Sequence, residues 1–297
     1  MQAMIPFPDI SPEIFSIPLF GMEFALRWYA LAYILGIVLA WRISVAAVKR
    51  PALWRDGAPM TPIQIEDLVT WLIIGIIAGG RLGFVIFYQP AYYLRNPAEI
   101  PMIWQGGMSF HGGFLGVVVA ALIWTARHKV PRLSAADTIA LGVPVGLMLG
   151  RIANFINNEL WGRPTDAPQG VVFPGPSAQD CGQIAGLCAR HPSQLYEAGL
   201  EGVILLSLML YLAFQRGALK VPGQITGVFL AGYGIARFIV EYFRQADDQF
   251  ISTTNPMGHV IRLGEFGLSM GQLLSLPMLA AGLALIAYAR RRAKAQA

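Results

Sequence analysis

The chain has 297 residues, of which 55% are hydrophobic and only 13% charged, with a formal net charge of +5. Soluble domains carry roughly 25% charged residues, so this composition, with a mean hydropathy of +0.53, excludes a mainly water-facing surface. The basic balance does not point to nucleic acid, because Lys and Arg gather beside apolar runs rather than along one face.

Taken in order, the apolar stretches predict an all-α integral membrane protein with about seven spans: 25–48, 67–88, 109–127, 138–158, 197–214, 223–243 and 270–289. Residues 1–297 read as a single polytopic domain. The opening segment, with Pro6, Pro8, Pro12 and Pro18, lacks the basic end and apolar centre of a cleaved signal peptide, so the first span is expected to do the targeting. Gly75, Gly79 and Gly83 on the second span read as a close helix-packing face, with Arg81 a weaker anion-binding candidate. The third begins in Met-Ser-Phe-His-Gly-Gly, where His111 could accept a proton or be only a hydrogen-bonded packing residue.

The fourth span carries Arg151, Asn154 and Asn158 at i, i+3 and i+7, which aligns them on one helix face, and Glu159 and Arg163 follow. The sixth carries Tyr233, Arg237, Glu241 and Arg244 at similar spacing. Ionisable groups at that depth are costly and call for a partner, a wet cavity or a function. Arg237 and Glu241 could be a structural ion pair; Arg151 has no acid a turn away, so its charge must be met by another span or by an anion such as a lipid phosphate, which suits a planar guanidinium.

The connection 160–192 is the longest and holds Cys181 and Cys188, read either as a disulfide in an oxidising compartment or as two free thiols. Lys49, Arg50, Arg55, Arg127, Lys129, Arg132, Arg216, Lys220, Arg290–Arg292 and Lys294 fall on one set of connections, whereas the other carries fewer, Arg95, Arg163, Arg190, Arg244 and Arg262, among Asp166, Asp180, Asp247, Asp248 and Glu265. The positive-inside rule then puts the N-terminus outside, the C-terminus in the cytoplasm and 160–192 in an outer loop or head region. No metal or other cofactor is expected, since no Asp/Glu/His/Cys cluster has ligand spacing. Buried charge on several spans also fits a multi-pass transporter, although neither half of the chain repeats the other. Gly267–Gly271 spells G-x-S-x-G, a weak sign of a serine hydrolase and more simply a serine at the start of a helix.

The segment Leu149–Arg163, LGRIANFINNELWGR, resembles the signature of the prolipoprotein diacylglyceryl transferase family, of the form GRxxNFINxELWGR. MSFHGG at Met108–Gly113, RHPSQLYE at Arg190–Glu197 and RFIVEYFRQ at Arg237–Gln245 match further family motifs in the family's order. The resemblance implies a seven-span enzyme of the bacterial inner membrane that takes phosphatidylglycerol and a prolipoprotein precursor as partners. The lipobox cysteine thiol attacks the glycerol carbon bearing the phosphate, a thioether forms and glycerol phosphate leaves. It carries family roles onto Tyr29, His111, Arg151, Asn154, Glu159, Gly162, Arg237 and Glu241, with His191 and Gln194 in a further motif. On this reading Arg151, Asn154, Glu159, Gly162 and Arg237 hold the headgroup. His111 takes the thiol proton, or an arginine lowers the thiol pKa and His111 only positions; Tyr29 adds a hydrogen bond, Glu241 fixes Arg237, and Glu159 steadies Arg163 or Arg151. Two positions depart from the family: Arg27-Trp28-Tyr29-Ala30 replaces the usual His-Trp-Tyr-Gly, and Asn158 stands where glycine is common.

Overall fold

The computed structural model describes residues 4–19, 22–181, 186–264 and 266–295; Glu265, counted above among the outer acids, lies outside them. Three strands, β1 (Ile5–Pro6) and the hairpin of β2 (Glu13–Leu19) and β3 (Met22–Arg27), precede the longer helices. These are α1 (Trp28–Val48), α2 (Pro62–Phe87), α3 (Phe110–His128), α4 (Arg132–Ala140), α5 (Val143–Ile156), α6 (Ser193–Phe214), α7 (Gln224–Val240) and α8 (Met270–Ala295). Six runs are long and apolar enough to cross a membrane, with α4 and α5 together making one of them; α7 is a shorter apolar helix of 17 residues. All seven lie within a few residues of the segments read from hydropathy.

Local chemistry sets the ends. Thr61 and Gln64 form a reciprocal capping box at the start of α2, and Ser109 caps α3 through Gly112 N. The fourth segment is two helices, because the chain turns at Leu141–Gly142 and Pro144 supplies no backbone donor. The turn lets Gly142 press on α1, where an added Cβ would sit 2.9 Å from Ala40 Cα.

Small residues decide which helices touch. A Cβ at Gly75 would sit 2.6 Å from Gly116 O, and one at Gly83 would sit 2.7 Å from Gly112 Cα. The glycine face of α2 therefore packs on α3 nearly backbone to backbone, as expected from the sequence. Asp137 on α4 is fully buried and accepts from Gly223 N (2.7 Å), Thr226 N (2.8 Å) and Thr226 Oγ1 (2.7 Å). It thus caps the N-terminus of α7 from another helix and fixes where α7 begins.

Candidate functional site

The turn after α5 places the signature residues. Asn158 and Leu160 adopt left-handed conformations, with φ of 55° and 56°. Glycine and asparagine tolerate that region best, which explains why asparagine can stand at 158 where glycine is common. The Asn158 amide adds a bond to Pro174 O at 2.8 Å. The segment 190–194 then straps the turn: Arg190 Nη1 donates to Gly162 O (3.2 Å), Ser193 Oγ to Leu160 O (3.1 Å) and Gln194 Nε2 to Glu159 O (2.6 Å). Gly162 N donates to His191 O at 2.8 Å, and a Cβ there would overlap Phe243 O. Gly162, His191 and Gln194 thus hold the turn through backbone groups and close packing.

The held turn directs Glu159 inward. Its Oε1 accepts from the Tyr29 hydroxyl and, at 2.8 Å, from Asn154 Nδ2, while Asn154 also contacts the Tyr29 hydroxyl. The expected partnership of Glu159 with Arg163 or Arg151 does not form. Arg163 reaches Met257 instead, through Met257 O at 3.1 Å, and desolvation lowers its pKa from the ordinary value.

Beside this trio lies a cluster of six charged side chains. Glu197 of α6 is fully buried and faces three arginines: Arg151 Nε at 3.0 Å, Arg237 Nη1 at 2.5 Å and Arg244 Nη1 at 2.9 Å. Arg237 also pairs with Glu241, and Arg244 Nε lies 3.4 Å from Glu241 Oε1. Glu201, one turn beyond Glu197, has its nearest cation 3.9 Å away at Arg151 Nε. The charge of Arg151, unmatched on its own helix, is therefore met from α6. Arg237 and Glu241 belong to a network that joins α5, α6 and α7. Glu197 ends the Arg190–Glu197 motif without a role legible in the sequence, and Glu201 lies beyond that motif. Two acids at i, i+4 inside an apolar run were the available signal.

Ser269 extends the network to α8. Its Oγ donates to Glu241 Oε2 at 2.7 Å and accepts from Gln272 N at 3.2 Å, while Gln272 Oε1 accepts from Ser269 N at 3.1 Å. A Cβ on Gly271 would overlap the Glu241 carboxylate. Ser269 lies between a short hairpin strand (Phe266–Leu268) and α8, but its hydroxyl is buried and bonded to Glu241, so the G-x-S-x-G string is a helix cap that orients Glu241.

Arg151, Asn154, Tyr29, Tyr233 and Arg237 form the polar end of a cavity of about 790 Å³. Its remaining wall is nearly all apolar and runs between α1, α2 and α5 to Trp41, Ser44 and Ile65. Tyr29 and Ser44 lie about 22 Å apart along α1 at a rise of ~1.5 Å per residue, most of a ~30 Å hydrocarbon core. Gly146 and Gly150 line it, and a Cβ at either would meet no neighbour, so these glycines leave the cavity wide. Among the described residues, the terminal nitrogens of Arg151 donate no hydrogen bond, so part of its fork is left to the cavity.

Other candidates fall outside the polar end. His111 is exposed and touches Phe110, with ring centroids 5.7 Å apart; Phe110 lines the cavity and His111 does not. Arg81 is 3% exposed and donates to Ile100 O, Gly106 O, Gly107 O and Glu99 O, at 2.6 to 3.2 Å. Those bonds fold the 99–107 loop and occupy four of the five guanidinium N–H groups, so Arg81 serves to hold that loop. Arg27 pairs with Glu13 at the surface, away from the trio that Tyr29 joins. Cys181 and Cys188 are joined as a disulfide, which resolves the choice left open by the sequence.

A long apolar cavity capped by guanidinium, amide and phenol groups, within a bundle of membrane-length helices, defines a multi-pass membrane protein. The chain belongs to the prolipoprotein diacylglyceryl transferase family, whose sequence model matches residues 14–288. It is 65% identical over 291 residues to a protein of Ruegeria pomeroyi named phosphatidylglycerol–prolipoprotein diacylglyceryl transferase, covering 98% of this chain and 99% of that one. A protein of the same name from Roseobacter denitrificans is 65% identical over 294 residues, covering 99% and 100%. One from Rhizobium meliloti is 45% identical over 295 residues, covering 99% and 97%.

Proposed function

We propose that this chain transfers the diacylglyceryl group of phosphatidylglycerol to the lipobox cysteine of a prolipoprotein, forming a thioether and releasing glycerol phosphate. The observation that carries this reading is the convergence of Arg151, Arg237, Asn154 and Tyr29 on one end of a deep apolar cavity. Acyl chains fill the cavity, and the headgroup phosphate lies against the two guanidiniums.

The reaction is a displacement at an alkyl carbon. The thiol loses its proton, the sulfur forms a bond to the glycerol carbon, and that carbon's bond to the phosphate oxygen breaks with its electron pair going to phosphate. Charge therefore grows on the leaving phosphate, where a preorganised guanidinium outside bulk water is most effective. Arg237 is held between Glu197 and Glu241, and Arg151 by Glu197, so neither reorganises during the step. Asn154 and Tyr29, tied to Glu159, supply neutral donors beside them. His111 takes the thiol proton as the peptide arrives at the cavity mouth beside Phe110; an exposed imidazole is open to a substrate from outside the bundle.

The enzyme acts in the bacterial inner membrane with its N-terminus and the 160–192 region outside, as the distribution of Lys and Arg supports. Purified protein given labelled phosphatidylglycerol and a lipobox peptide will form a diacylglyceryl thioether. A folded sample that forms none refutes the proposal.

A further inference from the structure

Glu201 is fully buried, and among the described residues neither of its carboxyl oxygens accepts a hydrogen bond. It lies in a π-helical turn of α6, Ala198–Ile204, a rare geometry that recurs at functional sites. The turn is pinned to the helix of Arg151, because a Cβ on Gly202 would sit 2.5 Å from Met148 Cβ. The charged and titratable groups that face Glu201 are Glu197 on its own helix, Arg151 on α5, and Arg237, Arg244 and Tyr233 from α7 and the turn after it.

We propose that Glu201 is a positioning residue that couples headgroup binding to a proton: phosphatidylglycerol is held with Glu201 in its neutral, protonated form. This inference rests on reading the cavity as the phosphatidylglycerol site. With Arg151, Arg237 and Arg244 opposed by Glu197, Glu241 and Glu201, the fully ionised cluster is neutral and offers no surplus charge to an anion. One proton leaves it at +1, which a phosphodiester cancels. The proton belongs on Glu201, because Glu197 and Glu241 each accept bonds from charged or hydroxyl donors and Glu201 accepts none. A buried carboxylate without donors is the costliest of the three to keep ionised.

The test measures affinity for short-chain phosphatidylglycerol between about pH 5 and pH 9, a range over which a phosphodiester keeps its charge, with diacylglycerol as the uncharged control. Wild-type affinity for phosphatidylglycerol falls toward alkaline pH, approaching about tenfold per pH unit, while that for diacylglycerol stays level. Glu201→Gln abolishes the slope. Equal slopes in variant and wild type, or no slope in wild type, overturn the inference. Folded wild type that binds no phosphatidylglycerol at any pH overturns the underlying reading instead. If Glu201→Gln does not fold, wild type in weakly buffered solution at about pH 9 supplies the answer: uptake of about one proton per lipid bound supports the coupling, and no uptake there overturns it.

Discussion

Glu197→Gln is the sharpest perturbation of the charge network. Glutamine keeps the volume, but its amide offers one neutral oxygen where two charged oxygens faced Arg151, Arg237 and Arg244, and turns an NH2 toward a guanidinium. Charge-assisted bonds are about twice as strong as neutral ones, and removing one partner from a buried ion cluster costs about 3–5 kcal/mol. The side chain has no access to water that could repair the loss. Chemical unfolding in detergent is therefore expected to show a stability deficit of about 3–5 kcal/mol. Glu13→Gln is the control: it breaks the Arg27 pair, whose side chains are 64% and 38% exposed, and should cost under about 1 kcal/mol. A deficit for Glu197→Gln no larger than that of the control would refute the view that Glu197 organises the three arginines.

Arg237→Lys keeps the charge but cannot span Glu197 and Glu241 at once; losing a charge-assisted bond of about 1.5–3 kcal/mol predicts a rate roughly 10- to 150-fold lower in the transfer assay. At the left-handed turn, Asn158→Gly should stay within about 1 kcal/mol of wild type, whereas Asn158→Val should cost about 1–3 kcal/mol, measured by unfolding. Gly146→Leu fills cavity space that has no packed neighbour, so activity should fall more than about tenfold with a stability change under about 1 kcal/mol, as kinetics and unfolding on one sample will show. His191 has its pKa lowered from 6.5 by desolvation, so the unfolded chain binds the proton more readily. Its contribution to stability is present at neutral pH and diminishes as pH falls below 6.5; His191→Gln should reduce that acid sensitivity in unfolding measured across pH.

The membrane helices were legible in the sequence because apolar length is a local property, whereas the capping box at Thr61 starts α2 at Pro62, five residues before the apolar run read from 67. The small-residue face of α2 was legible for the same reason, since Gly75, Gly79 and Gly83 repeat at one-turn spacing. Arg81 illustrates the limit. Its residue type suits an anion, but only the path of the 99–107 loop reveals that backbone carbonyls take four of its five donors.

By itself the sequence determined a polytopic helical protein with arginines at membrane depth and, through the motif around Arg151, its family. Tertiary structure alone decided what those arginines face. Glu197, 46 residues from Arg151 and 40 from Arg237, meets both only because small residues bring α5, α6 and α7 together, and helical periodicity carries no information about contacts between helices. The same packing closes the cavity. A space between helices has no sequence signature, because it is defined by where several side chains stop.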